Sequence, residues 1–304
     1  MIAQETAAKV LREALKTGGD LAEIYVEDVT SLRLGLDDSR LEQAIRGADR
    51  GAGVRVFFGN MATYAYTDDL SEASLLDAAR AAAAAGSSSS QTQIIDLTER
   101  KSPLEFPIQK SFDELSIEDK AAVLHQIDEV GRAANPLIKQ VFGWYGERSR
   151  KVWIYNSAGT YAHDDRTFVE MGMGVIAQRN GTLQRAYEGF GGQVGLELLD
   201  NNDPVALIQK LADSAVRMLD AKPCPAGEFT VVLPNGWGGV LFHEACGHQM
   251  EADFVTKGGS AYSGKVGEMV ASPLITAIDD GTIPGRRGSM RFDDEGTPSN
   301  RTVL

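Results

Sequence analysis

The chain has 304 residues, with 43 Asp+Glu against 30 Lys+Arg and a formal net charge of −13. That balance argues against nucleic acid or an anionic membrane as the main partner, because both attract basic surfaces, while 43% hydrophobic residues supply enough material for a packed core. No run approaches the roughly 20 apolar residues that cross a bilayer, the N-terminus lacks a signal peptide's apolar stretch, and the 2 cysteines, Cys224 and Cys246, cannot staple so long a chain, so a soluble cytoplasmic protein with reduced thiols is expected.

A single core rarely grows past roughly 250–300 residues, which points to two domains. Residues 3–17 place Ala7, Val10, Leu11, Ala14 and Leu15 on one helical stripe, and Gly18-Gly19 ends it. Strand patterns follow in AEIYVEDV, SLRLGLDD, GVRVFFGN and MATYAYTD, the last two flanking a tight-turn signal at Gly59-Asn60. Asp69-Leu70-Ser71-Glu72 reads as a capping box opening a helix that runs to Gly86. Residues 87–93, SSSSQTQ, are a low-complexity loop.

Ser116 caps a second helix, in which His125 is read as a helix-surface or half-buried residue. Residues 137–190 return to a strand pattern, with turns at Asn156-Ser157-Ala158-Gly159 and Arg179-Asn180-Gly181. His163 falls on one of these strands, beside Asp164-Asp165, and reads as part of a solvated face. The glycine-rich run at 188–195 fits no dinucleotide fingerprint and reads as a bend or bulge. A third helix begins at Asp203-Pro204. The prolines of Lys222-Pro223-Cys224-Pro225 then mark a domain boundary, giving domains of 1–222 and 223–304.

Beyond the boundary come a short strand, EFTVVLP, a turn, NGWGG, and the segment His243-Glu244-Ala245-Cys246-Gly247-His248. With only 4 histidines in the chain, this arrangement arises by composition on the order of a few times in a thousand such chains. Neutral imidazoles bind Zn²⁺, and an adjacent carboxylate can take a proton from a water that the metal acidifies. The histidines are five apart, which on a regular α-helix at about 100° per residue leaves them roughly 140° out of register. A locally distorted helix, with a π-bulge or unwinding near Gly247, is therefore predicted, since it would bring both to one ion. A catalytic zinc usually has three protein ligands. The candidates for a third are Glu251, Asp253, Cys224 and Cys246, each with an ordinary structural reading as surface carboxylate or small core thiol.

HEACGHQMEADFV and the following stretch through FDDEGTPSN to Leu304 resemble the TldD/PmbA family, historically called modulators of DNA gyrase, and within it the TldD subunit, which carries HExxxH. The likeness is strongest over residues 228–304. It implies an α+β fold, with an N-terminal domain of antiparallel or mixed sheet packed with helices, then the beginning of a β-rich C-terminal metallopeptidase domain bearing the motif helix. It implies His243 and His248 as metal ligands, Glu244 as general base, Zn²⁺ as cofactor, and unfolded or extended peptides as substrate. A PmbA/TldE-like partner subunit or a homo-oligomer is implied, without direct nucleic-acid or membrane contact. The family's third ligand is a cysteine in a further C-terminal portion, so the resemblance also implies a C-terminally truncated chain with an incomplete site, inactive alone. The alternative is a non-catalytic assembly or binding subunit. Downstream, Asp293-Asp294-Glu295-Gly296 reads as an acidic turn, with polar groups for the site as the alternative, and Arg286, Arg287 and Arg291 read as surface charges, with a peptide carboxylate as their alternative partner.

Overall fold

The computed structural model describes residues 1–86, 96–236 and 238–304, so the low-complexity loop at 87–93 and Trp237 of the NGWGG turn lie outside the described residues. By compactness these divide into two units, Met1–Ala221 with Asp280–Arg301, and Lys222–Asp279 with Thr302–Leu304. Residues 280–301, which the sequence reading groups with the second domain, thus pack within the first unit.

The first unit is α+β. Helix α1 (Gln4–Ala14) precedes strands β1 (Leu21–Asp37), β2 (Arg40–Phe58) and β3 (Met61–Thr67). Next come α2 (Glu72–Ala84), the two-residue β4 (Thr98–Glu99) and α3 (Ile117–Ala134). Strands β5 (Ile138–Asn156), β6 (Thr160–Arg179) and β7 (Thr182–Gly192) then lead into α4 (Glu197–Asn201) and α5 (Pro204–Met218). The sheet order is β3-β2-β1-β5-β6, with β7 antiparallel and β4 parallel to β6.

Strands of 17, 19, 19 and 20 residues in β1, β2, β5 and β6 are long enough to carry two cores on one face. Alternate residues of a strand share a face. Accordingly Ile24 and Val26 of β1 pack with α1 and α2 over Trp153 and Tyr155, while Leu32, Leu34 and Leu36 pack with α3 and α5 over Met171 and Met173. Burying each such side chain contributes about 1.5–3 kcal/mol. AEIYVEDV and SLRLGLDD are therefore one strand serving two helix pairs.

The turn signals largely hold. Asn180 and Gly181, at φ 50° and 84°, form the β6–β7 turn, the left-handed pair that matches strand twist. Ser116 caps α3 with a reciprocal bond from Asp119, and Asp203 caps α5. At α2 the cap is Ser71, whose hydroxyl accepts from the Ser74 N–H, while Asp69 accepts from the N–H and hydroxyl of Ser71. The glycine run at 188–192 continues β7 in unbroken register with β6 instead of bulging, and a Cβ at Gly191 would come within 2.8 Å of Glu170 Cβ.

The opposite sheet face holds Val152, Ile154 and Ala162 against Phe292. Around Phe292 a buried network fastens residues 280–301. Asp164 is fully buried and accepts from Arg166 Nε at 3.0 Å, from the Arg291 N–H at 2.9 Å and from Arg291 Nη1 at 3.1 Å. Arg166 donates onward to the Phe292 carbonyl at 2.7 Å. Arg291, expected as a surface charge, is thus half-buried and structural, and Arg287 pairs with Glu170. The acidic turn is confirmed, with Asp293 accepting from the N–H groups of Glu295 and Thr297.

Candidate metal centre

In the second unit the expected strand at 228–234 does not form among the described residues, and Phe229, Val231 and Val232 are exposed. The chain then forms α6 (Gly238–Phe242), a π-turn over His243–Gly247, a single tighter turn at His248–Met250, and α7 (Ala252–Thr256).

The π-turn solves the register problem posed by the five-residue spacing. The backbone N–H of His248 donates to the carbonyl of His243, an i→i+5 bond that stacks these two residues instead of leaving them on different helical faces. Their rings lie 4.3 Å apart at 60°. Gly247 leaves space for this: a Cβ there would sit 3.3 Å from His243 Nδ1. Nitrogen atoms of the two imidazoles and a Glu244 carboxylate oxygen all lie within 4.8 Å of one another. Two imidazoles and one carboxylate, all accessible to solvent, are a donor set that suits a borderline-soft divalent cation.

The proposed third ligands lie elsewhere. Glu251 Oε1 lies 2.8 Å from Nδ1 of His248, while Nε2 of the same ring stands 3.6 Å from Glu244 Oε2. Asp253 accepts from the Phe254 N–H. Cys224 is exposed, with its thiol toward the Pro225 carbonyl. Cys246 hydrogen-bonds Tyr262, which together with burial pushes the phenol's pKa up. His125 is exposed on α3, and His163 stacks on Trp153 at 5.2 Å with Asp165 at its Nε2, so neither approaches another histidine.

Sequence reasoning missed the brace behind the motif. Gln249 Oε1 accepts from the Ala261 N–H at 3.2 Å, and Ser260, whose hydroxyl donates to the Gln249 carbonyl, accepts from the Tyr262 N–H at 2.9 Å. No periodicity signals this; the one available sign was a Gln directly after the second histidine, facing a Gly-Gly-Ser turn. Beside it, Met250, Val255, Tyr262, Val266, Met269 and Ile275 line part of an apolar cavity of about 470 Å³. No helix among the described residues is long and apolar enough to cross a membrane.

The chain matches three consecutive domain models: PmbA/TldA metallopeptidase domain 1 at residues 22–86, the central domain at 110–219 and the C-terminal domain at 226–304. It is 35% identical over 297 residues to a metalloprotease TldD homolog of Haemophilus influenzae, covering 94% of this chain and 61% of that one. Against a metalloprotease of Methanocaldococcus jannaschii it is 33% identical over 298 residues, covering 96% and 65%. The chain therefore spans about three-fifths of the length of these relatives. Its fold is that of a Bacteroides thetaiotaomicron protein described as a modulator of DNA gyrase (TM-score 0.82, 17% identity, 100% of this chain and 70% of that one). It is also that of TldE from Thermococcus kodakarensis (TM-score 0.76, 18% identity, 98% and 67%). With its domain models matched in order from residue 22 to residue 304 and its motif wound into a π-turn, the chain belongs to the PmbA/TldD family of metallopeptidases.

Proposed function

We propose that this chain carries the metal-binding helix of a zinc-dependent peptidase acting on unfolded or extended peptides. The observation that carries the reading is the convergence of His243, Glu244 and His248 within 4.8 Å across a π-turn. His243 and His248 would hold the ion through their imidazole nitrogens. Zinc in such a site polarises a scissile carbonyl and lowers the pKa of water. Glu244, next in sequence to the first ligand, takes the proton of the attacking water and delivers it to the leaving amine, a role worth typically 10²–10⁴-fold in rate. The apolar cavity that begins at Met250 suits side chains of an extended peptide.

Two imidazoles and the base carboxylate leave a protein ligand to be supplied from outside the described cluster. The 304-residue chain alone is accordingly a weak zinc binder without peptidase activity, and it works in assembly with a PmbA/TldE-like subunit or another copy. Its two unpaired thiols suit a reducing cytoplasm. A second reading, a non-catalytic binding subunit, draws on the solvent exposure of the three site side chains.

Zinc titration against a chromophoric chelator tests the reading. The chain should take up one zinc, and His243→Ala should weaken it by about 100-fold or more, the loss of one of two imidazole ligands. Equal zinc uptake by His243→Ala would overturn the ligand assignment. In the assembled peptidase, Glu244→Gln should keep zinc and lose cleavage; undiminished cleavage would leave only the binding-subunit reading.

A further inference from the structure

We infer that Glu251 is a positioning residue: its carboxylate fixes His248 in the tautomer that leaves Nε2 free for the metal. The inference rests on the metal-site reading above and names a residue outside it.

A histidine can bind a metal through only one nitrogen at a time, and what the other nitrogen donates to decides which one is available. Here the two nitrogens of His248 face different carboxylates. Nδ1 is 2.8 Å from Glu251 Oε1, a hydrogen-bond distance. Nε2 stands 3.6 Å from Glu244 Oε2, beyond hydrogen-bond distance, in a ring whose centroid lies 4.3 Å from that of His243. A carboxylate only accepts, so the proton belongs on Nδ1 and the lone pair on Nε2.

The backbone shows why Glu251 is available for this. It leaves the helical conformation at φ −66°, ψ 136°, immediately before α7, and its N–H bonds back to the His248 carbonyl. That step turns its side chain toward His248. An acidic residue at a helix start ordinarily accepts from the first free N–H groups of the helix, yet Glu251 makes no side-chain bond to α7. The carboxylate bonds the imidazole instead. His248 is then held at two points, through its backbone N–H in the π-turn and through Nδ1 at Glu251.

Long-range ¹H–¹⁵N spectra of the metal-free chain, labelled at histidine and recorded at mildly alkaline pH, read the tautomer directly, with His248→Ala providing the assignment. The Nδ1–H form should dominate for His248. Glu251→Ala should shift it toward Nε2–H, while Glu251→Gln, whose amide oxygen still accepts, should largely preserve it. Zinc affinity should follow, falling about 10–100-fold in Glu251→Ala and about threefold or less in Glu251→Gln. A tautomer unmoved by Glu251→Ala would overturn the inference. So would a Glu251→Gln variant that loses zinc as severely as Glu251→Ala and alters the visible bands of bound Co²⁺, because Glu251 would then be a ligand itself. If the tautomer moves as expected while no form of the chain binds zinc, the positioning contact stands and the metal-site reading falls.

Discussion

Two clusters of charged and polar side chains in this molecule are held by opposite means. Asp164, Arg166 and Arg291 sit in the large unit under Phe292, where Asp164 is fully buried and Arg166 is 4% exposed, and each is fixed by several bonds from separate parts of the chain. His243, Glu244 and His248 sit in the small unit with all three side chains exposed, and their geometry comes from neighbouring residues, the bond from the His248 N–H to the His243 carbonyl and the contact of His248 Nδ1 with Glu251. Among the described residues of 222–279, Ser260 alone is classed as buried. Packing dictates the first cluster, and hydrogen bonding along a few consecutive residues dictates the second. A cluster of the first kind resists change and rarely exchanges partners; one of the second kind stays open to an ion and a substrate.

The comparison breaks most sharply at Asp164. Asp164→Ala would strand Arg166 without its carboxylate, which for a buried pair costs about 3–5 kcal/mol, and equilibrium urea unfolding followed by tryptophan fluorescence should show that loss. Zinc affinity should stay at the wild-type value if the motif owes its geometry to neighbouring residues alone; a parallel loss of zinc would join the two clusters.

A smaller effect is expected at Glu197, also in the large unit. Burial works against its charge, but the N–H groups of Gly195, Lys110 and Gln109 outweigh it and hold the carboxyl below the ordinary range. With the folded pKa depressed, the stabilisation is present above the unfolded value of about 4.3 and is lost as pH falls through the folded value. Glu197→Gln should cost about 1–3 kcal/mol at neutral pH and flatten the acid limb of a stability–pH profile. An unchanged acid limb would show that other carboxylates control it.

The mildest change sharpens the comparison from the motif side. Gly247→Ala puts a methyl 3.3 Å from His243 Nδ1 at a backbone conformation any residue adopts, φ −57°. Zinc affinity should fall about tenfold, or about 1.4 kcal/mol, with global stability unchanged. Retained affinity would mean that the imidazole reorients freely and that the glycine is incidental.

Much of this was legible before the structure. The α1 stripe, the Asn180-Gly181 turn, the Ser116 cap and the Pro204 start of α5 are local patterns, set by residues close in the sequence. The π-turn was legible too, since five-residue spacing and shared chemistry leave few backbone solutions. The β1–β2 hairpin was not. Its turn is Asp38-Ser39, both left-handed at φ 46° and 67° without a glycine, and it is held by distant partners, Ser39 on Asp128 and Asp38 on Arg132. The role of Arg291 was hidden for the same reason: its partner Asp164 is 127 positions away. Glu251 lay in plain sight as a possible ligand, but which nitrogen of His248 it meets depends on the chain leaving the helix at that residue.

The docking of residues 280–301 on the large sheet makes residues 222–279 a segment joined to the large unit at both ends. A single proteolytic cut anywhere in 222–279 would therefore separate the chain covalently without releasing the downstream piece, which stays clamped through Arg291 and Phe292. The two fragments would behave as a non-covalent complex, dissociating only when the sheet itself unfolds. Nicked and intact protein would then be alike in gel filtration and different only on a denaturing gel.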